Sequence, residues 1–459
     1  MMLHRRSLLL AGALLAVGGC AGVSPPLTNP PPIVFVHGDG DSAALWQTTI
    51  WRFESNGWPR ERLVAIDLPY PLARDEDDKP QPGRSSTEDQ MRGLAAEVDK
   101  VLQATGADSV VLYGSSRGGN TIRNYVHNGG GSLTVSTAVI GGGTSHGVWN
   151  DPSLRPGSEF NGASPFMRSL NTPRGTGTEE VYPGMRWMTL RSDNNDKFAQ
   201  PDGAWIGRPG MRTNIDFDAP ALTGASNVVL PGRDHREVAF HAEAFGYVYS
   251  FIAQRPPATL EIRPEERVVL DGKVSGLGLG NDPTKGNFAT NLPLAGATVE
   301  VHAVDAATGA RRGGALHRAN IGADGRWGPL ATDSRTPLEF VVAAPGYATT
   351  HIYRSPFPRS SDIVQLRPER LADGDRGAAS VVSLSRPRGY FGVPRDRIEL
   401  DGASPPAGIA SGVAGVSIAK TKLASGAGRA VAASFNGERI VGRAWPAADN
   451  HVVVLELHH

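Results

Sequence analysis

Two pentapeptides in this chain match G-x-S-x-G: Gly114-Ser115-Ser116-Arg117-Gly118 and Gly143-Thr144-Ser145-His146-Gly147. A serine in this setting can serve as a nucleophile when a strand runs in, a sharp turn strains the serine, and a helix runs out. Glycine is needed because strand and helix backbones pass close to each other at such a turn. With 56 glycines in 459 residues, the pentapeptide arises readily by chance, so its flanks must decide. Ser116 follows the apolar run Val110-Val111-Leu112-Tyr113 and precedes Asn120-Thr121-Ile122-Arg123-Asn124-Tyr125-Val126, a stretch free of proline. Ser145 also has apolar residues before it, but Gly147-Val148-Trp149-Asn150-Asp151-Pro152 after it is a poor helix. Ser116 is the candidate nucleophile, and Ser145 and His146 are expected to line the site or a strand end.

A serine hydroxyl is a weak nucleophile unless a base takes its proton. His235 is the candidate base, in Gly232-Arg233-Asp234-His235 directly after the apolar run Val228-Val229-Leu230. His241 competes, but its place beside the next helix reads as a surface or core-edge histidine. The third member of such a set is a carboxylate that orients the imidazole. Two stand in Ser192-Asp193-Asn194-Asn195-Asp196, after the run Trp187-Met188-Thr189-Leu190. Asp196 fits the spacing beyond the strand better, and Asp193 is the alternative. The resulting order, Ser116, Asp196, His235, is that of one triad fold and not of the others.

These residues need elements to hold them. Apolar runs at 33–36, 63–66, 109–113, 135–140, 186–191 and 227–230 read as strands, and 45–56, 86–105, 116–127 and 242–253 as helices. Met91, Leu94, Val98, Val101 and Leu102 recur at helical spacing within the second of these helices. Continuous apolar strands alternating with helices predict an α/β fold, with a mostly parallel sheet covered on both faces. The link at 147–184 is long and rich in Gly, Pro, Ser and Asn, with Phe160, Phe166, Met167 and Leu170 scattered through it, and reads as a lid or substrate-contacting cap. Pro256-Pro257 closes this unit, taken as residues 33–255. Beyond it, short alternating runs at 292–304 and 338–343, with 364–367 ending the stretch, predict an all-β sandwich or barrel region. We divide it into a module at 258–370 and a second β-rich module at 371–459.

The 46 basic and 46 acidic side chains cancel, so no electrostatic argument favours nucleic acid as a partner. The twelve histidines show no metal-ligand spacing with acidic partners, and the chemistry above requires no cofactor. The single cysteine, Cys20, closes a leader: a basic start, an apolar run at 7–17, then Gly18-Gly19. That run is of signal-peptide length and too short for a permanent span. Val17-Gly18-Gly19-Cys20 resembles a bacterial lipobox at the end of a signal peptide, residues 1–20, which implies export, cleavage before Cys20, a lipid anchor on Cys20 and attachment to the cell-envelope membrane; without processing, the protein would be secreted. Arg5-Arg6 resembles a twin-arginine leader. Residues 21–32 read as a Pro-rich tether.

Together, His37-Gly38, 114–119, 192–196 and 232–235 make residues 33–254 resemble the bacterial lipase and esterase branch of the α/β-hydrolase superfamily. That resemblance implies ester hydrolysis, with the backbone N–H groups of Asp39 and Arg117 as the oxyanion hole. A carboxylate aimed at the oxyanion would oppose catalysis, so the Asp39 side chain is expected to turn away or pair with a cation. The string Leu294-Ala295-Gly296-Ala297-Thr298-Val299 is similar to the lipid-binding domain of a smaller group of lipases, implying an acyl ester substrate at a lipid or polymer surface. The chain departs from that group by continuing well past Arg370. Polyester depolymerisation, amide hydrolysis and a non-catalytic binding role on the same scaffold are the competing expectations.

Overall fold

The computed structural model describes residues 27–459 apart from 174–176, 194, 201–205, 207, 209, 216–217, 280–286 and 427. The leader, with Cys20, lies outside the described residues. No helix among the described residues is long and apolar enough to cross a membrane.

Six strands, β1 (Ile33–Val36), β2 (Leu63–Ile66), β3 (Val110–Ser115), β4 (Val135–Gly141), β5 (Arg186–Ser192) and β6 (Ser226–Leu230), form one sheet. Its order is β2-β1-β3-β4-β5-β6, and every pairing is parallel. Strand side chains alternate between the two faces. Ile33 and Phe35 join one core with α1 (Gln47–Ser55) and α4 (Ala242–Ala253), while Val34 and Val36 join another with α2 (Thr87–Thr105) and α3 (Arg117–Asn128). Because both faces are buried, these strands read as unbroken apolar runs. Ser86 and Asp89 form a reciprocal capping box at the start of α2, and Gly106 takes a left-handed conformation at its end.

The chain leaves β1 for β2 on one side and returns to β3 on the other, so the order reverses between β1 and β3. A crevice opens at the carboxyl ends of strands where such a reversal occurs. The His37-Gly38-Asp39 turn and Ser116 follow those two strands directly.

The largest C-terminal sheet is made of β7 (Thr298–Ala303), β8 (His317–Asn320), β9 (Leu338–Ala343), β10 (Thr349–Arg354), β11 (Ser380–Ser385), β12 (Ile418–Leu423) and β13 (His451–Glu456). They form a single sheet in the order β8-β7-β9-β10-β13-β11-β12. β13 lies parallel to both β10 and β11, so one sheet crosses the boundary we drew at 370/371. The apolar run Val452-Val453-Val454-Leu455 needs a neighbour on each edge, and it finds one in each stretch. The run at 292–304 is broken: Asn287–Pro293 pairs with Ser275–Leu279, and β7 begins only after a turn with Gly296 at φ 84°. Residues 364–367 make an isolated bridge, not a strand. The two halves share a core, since Trp51 of α1 is 1% exposed and clusters with Val268, Trp327 and Phe357.

Candidate active site

Ser116 sits between β3 and α3 with φ 51° and ψ −117°, a strained backbone for a residue bearing a side chain. Packing around it leaves little alternative. A Cβ added at Gly118 would lie 2.5 Å from the Val36 carbonyl oxygen and 2.8 Å from that of His37. One at Gly114 would lie 2.8 Å from the Gly118 backbone. The glycines therefore let α3 press against the ends of β1 and β3, which pushes Ser116 out over the sheet edge.

His235, in the turn after β6, reaches the same point. Its Nε2 is 2.8 Å from Ser116 Oγ, and its Nδ1 is 2.5 Å from Asp196 Oδ2. All three side chains are buried: Ser116 is 8% exposed, His235 4% and Asp196 2%. Asp196 is held in turn, because its Oδ1 accepts the Phe198 N–H at 2.8 Å. The Phe198 ring meets the imidazole edge-on at 4.9 Å between centroids. Asp193 lies elsewhere: its carboxylate accepts from Asn195 N–H and, at 3.0 Å, from Gly232 N–H, tying together the turns that carry Asp196 and His235.

Asp39 turns its carboxylate onto the Ala73 N–H, at 2.7 Å. Burial pushes this carboxyl up from its ordinary range, against the pull of the Arg117 guanidinium. Arg117 points its own side chain into the protein. It donates to Glu159 at 2.7 Å, to the Pro71 carbonyl and to Ser85, with both charged partners almost fully buried. Burial outweighs that pairing at Glu159 and lifts its carboxyl to about 7. His37 steadies the first turn: Leu68 N–H donates to its Nε2, which leaves Nδ1–H to donate to the Gly38 carbonyl. Burial lowers the His37 pKa.

The cavity over Ser116 measures about 380 Å³, and Trp149, Phe160, Phe198 and Tyr390 are among its walls. Trp149 and Phe160 come from the 147–184 segment, which also supplies Glu159 to Arg117. Lys197 and Arg236 add positive charge to the same cavity, with Arg236 paired to Asp41 at 2.5 Å. Burial and the nearby Arg236 lower Lys197 to about 8.

Ser145 and His146 are not brought to this point. The Ser145 carbonyl accepts from Arg123, His146 meets Glu180 at 2.9 Å, and both line a separate small crevice, whereas their neighbour Thr144 lines the main cavity. His241 caps α4, its Nδ1 accepting the Glu243 N–H. Burial, reinforced by Arg233, lowers His241 to about 3. Among the described residues no group of three or more His, Cys, Asp or Glu is arranged to hold a metal. Sequence reasoning missed the Arg117–Glu159 pair, the edge-on Phe198 and the Tyr390 wall. Only an arginine inside an elbow otherwise made of glycine and serine hinted at the first; nothing local marked the others.

Known proteins share parts of this architecture. Residues 31–167 match the alpha/beta hydrolase fold family, and residues 266–371 match the lipase C-terminal domain. Among solved structures, lipase B of Aspergillus fumigatus is similar at 15% identity, over 51% of this chain and 54% of that one, with a TM-score of 0.35. The mature Bacillus licheniformis lipase BlEst2 is similar at 20% identity, over 49% and 93%, with a TM-score of 0.34. Esterase RhEst1 from Rhodococcus sp. ECU1013 is similar at 18% identity, over 50% and 92%, with a TM-score of 0.29. With the match over residues 31–167 and the parallel sheet that carries Ser116, the chain has an α/β-hydrolase fold, and its C-terminal half contains a stretch that matches the lipase C-terminal domain.

Proposed function

We propose that this protein hydrolyses carboxylic esters through an acyl-enzyme on Ser116. The observation that carries the reading is the unbroken chain from Ser116 Oγ to His235 Nε2 at 2.8 Å and from His235 Nδ1 to Asp196 at 2.5 Å. Ser116 Oγ attacks the ester carbonyl while His235 Nε2 takes its proton, and Asp196 holds the imidazolium that results. Collapse of the tetrahedral intermediate breaks the C–O bond, and His235 returns the proton to the departing alcohol. Water then attacks the acyl-enzyme by the same route and releases the acid. The oxyanion is received by the N–H groups of Asp39 and Arg117. Arg117 is the first residue of α3, so its N–H has no acceptor inside the helix.

The aromatic wall of Trp149, Phe160, Phe198 and Tyr390 suits an apolar acyl group. Acyl lipids are the substrates we favour. Export and anchoring through Cys20 complete the proposal and would place the reaction at the cell envelope.

The test is hydrolysis of p-nitrophenyl esters of graded acyl length by wild type, Ser116→Ala and Ser145→Ala. Loss of such a nucleophile lowers turnover by roughly 10⁶-fold. An active Ser116→Ala protein would sink the assignment. Dispersed triglyceride and polyester suspensions, run in parallel, separate a lipase from a depolymerase.

A further inference from the structure

The catalytic turns touch residues that lie beyond the matched lipase C-terminal domain, which ends at residue 371. After β11 the chain runs back onto the hydrolase half. There Arg386 donates to Asp234 at 3.0 Å and to Glu237 at 2.5 Å, and Arg395 donates to Glu237 at 2.8 Å. The Tyr390 N–H donates to the same carboxylate oxygen that Arg386 reaches, Asp234 Oδ2, at 2.8 Å. Asp234 and Glu237 bracket His235. Each accepts a backbone N–H from the other's end of the turn, at 2.9 Å, so their side chains define its shape.

Asp234 is fully buried and Glu237 is 4% exposed, so two like charges three residues apart share one dry site. An uncompensated buried carboxylate is strongly unfavourable. The turn therefore keeps this conformation only while Arg386 and Arg395 neutralise it. The neighbouring residues are engaged as well. Arg236 donates to the Pro387 carbonyl and lies 4.9 Å over the Tyr390 ring; Lys197, next to Asp196, lies 4.1 Å over the same ring and donates to the Gly415 carbonyl. Tyr390 is also part of the wall of the cavity above Ser116.

We propose that the 386–396 segment is part of the active site: Arg386 is a positioning residue that holds the His235 turn through Asp234 and Glu237, and Tyr390 is a specificity-determining wall for the acyl group. The inference rests on the ester-hydrolase reading of Ser116 and gives the last ninety or so residues a role in the reaction itself, apart from any adhesion to lipid or polymer.

The experiment compares wild type, Tyr390→Ala, Arg386→Gln, Arg386→Lys and the exposed control Arg376→Ala. It measures kcat and KM on p-nitrophenyl acetate and octanoate, together with the low-field proton resonance of the His235–Asp196 hydrogen bond. Tyr390→Ala is expected to lower the octanoate-to-acetate ratio of kcat/KM at least about 10-fold, since only the longer chain reaches the lost wall. Arg386→Gln is expected to lower kcat on both esters about 100-fold with the ratio unchanged, and to broaden or abolish the low-field resonance. Arg386→Lys keeps the charge and should recover about a tenth or more of wild-type kcat, while Arg376→Ala matches wild type. An unchanged ratio in Tyr390→Ala, or an unshifted resonance and full kcat in Arg386→Gln, overturns the inference and leaves the Ser116 reading standing. A wild-type protein inactive on every ester overturns both.

Discussion

The tight approach of α3 to β1 makes Gly118→Ala the most informative single substitution in the hydrolase half. The new methyl would sit 2.5 Å from the Val36 carbonyl oxygen and 2.8 Å from that of His37, both backbone atoms that no rotamer change can move. A normal carbon–oxygen contact needs roughly 3.2 Å, so the end of β1 must retreat by about 0.7 Å. Overpacking of this kind costs about 1–3 kcal/mol. For a domain of this size each kcal/mol lowers Tm by roughly 2–4 °C, so the expected fall is about 2–12 °C. The retreat also carries the His37-Gly38-Asp39 turn with it. That turn is packed against Ser116, since a Cβ at Gly38 would lie 3.2 Å from Ser116 Cβ. Misplacement by about 1 Å costs about 10²-fold in rate, so kcat should fall about 10–100-fold with KM little changed. Calorimetry and steady-state kinetics on p-nitrophenyl esters measure both, with Gly314→Ala as the control because nothing lies within 4 Å of its added methyl. A Gly118→Ala protein with wild-type Tm and kcat would refute the argument that close packing at this glycine holds the elbow.

Other perturbations give separate checks. Asp196→Asn should lower kcat about 10⁴-fold by presenting the wrong imidazole tautomer, whereas Asp193→Asn, which only loosens a turn, should cost less than about 10-fold; equal losses in the two would undo the choice between them. Arg117→Ala strands the buried Glu159 and should destabilise by about 3–5 kcal/mol, with Glu159→Gln clearly milder in urea titrations. In the β half, burial pushes the Glu339 carboxyl up, but hydrogen bonds from His351 and Arg311 outweigh burial and hold it at about 2. Its folded pKa is thus below the unfolded one, so its stabilisation, about 3 kcal/mol, is present above about pH 4.5 and fades as pH falls toward 2. The gap in Tm between wild type and Glu339→Gln should therefore be wide at pH 7 and close at about pH 2; a gap independent of pH would contradict this.

Much of the hydrolase half was legible because its information is local. Strands buried on both faces must be apolar throughout, so 33–36, 63–66 and 110–113 declared themselves, and a parallel order followed from the helices between them. The glycines of 114–119 marked a close approach of backbones that the β3–α3 turn indeed makes. The turns that follow β5 and β6 were likewise visible as polar clusters after apolar runs. Sequence alone could not say which carboxylate of 192–196 faces His235. That depends on a backbone turn in which Asp196 caps Phe198 N–H while Asp193 binds the next turn.

In the β half the information is distributed over long separations. β13 pairs with β10 across about a hundred residues, and its own sequence names no partner, so residues 371–459 looked like a module of their own. The same holds where the halves meet. Nothing near Tyr390 or Arg386 in sequence suggests a hydrolase site, because what makes them part of it is the burial of Asp234 and Glu237 opposite them. Residue types and spacings determined which groups were chemically able and which turns would carry them. Convergence of four strand ends on one crevice, and compensation of buried charge from a distant loop, belong to the tertiary structure, since both arise only when desolvation forces separated segments to satisfy one another.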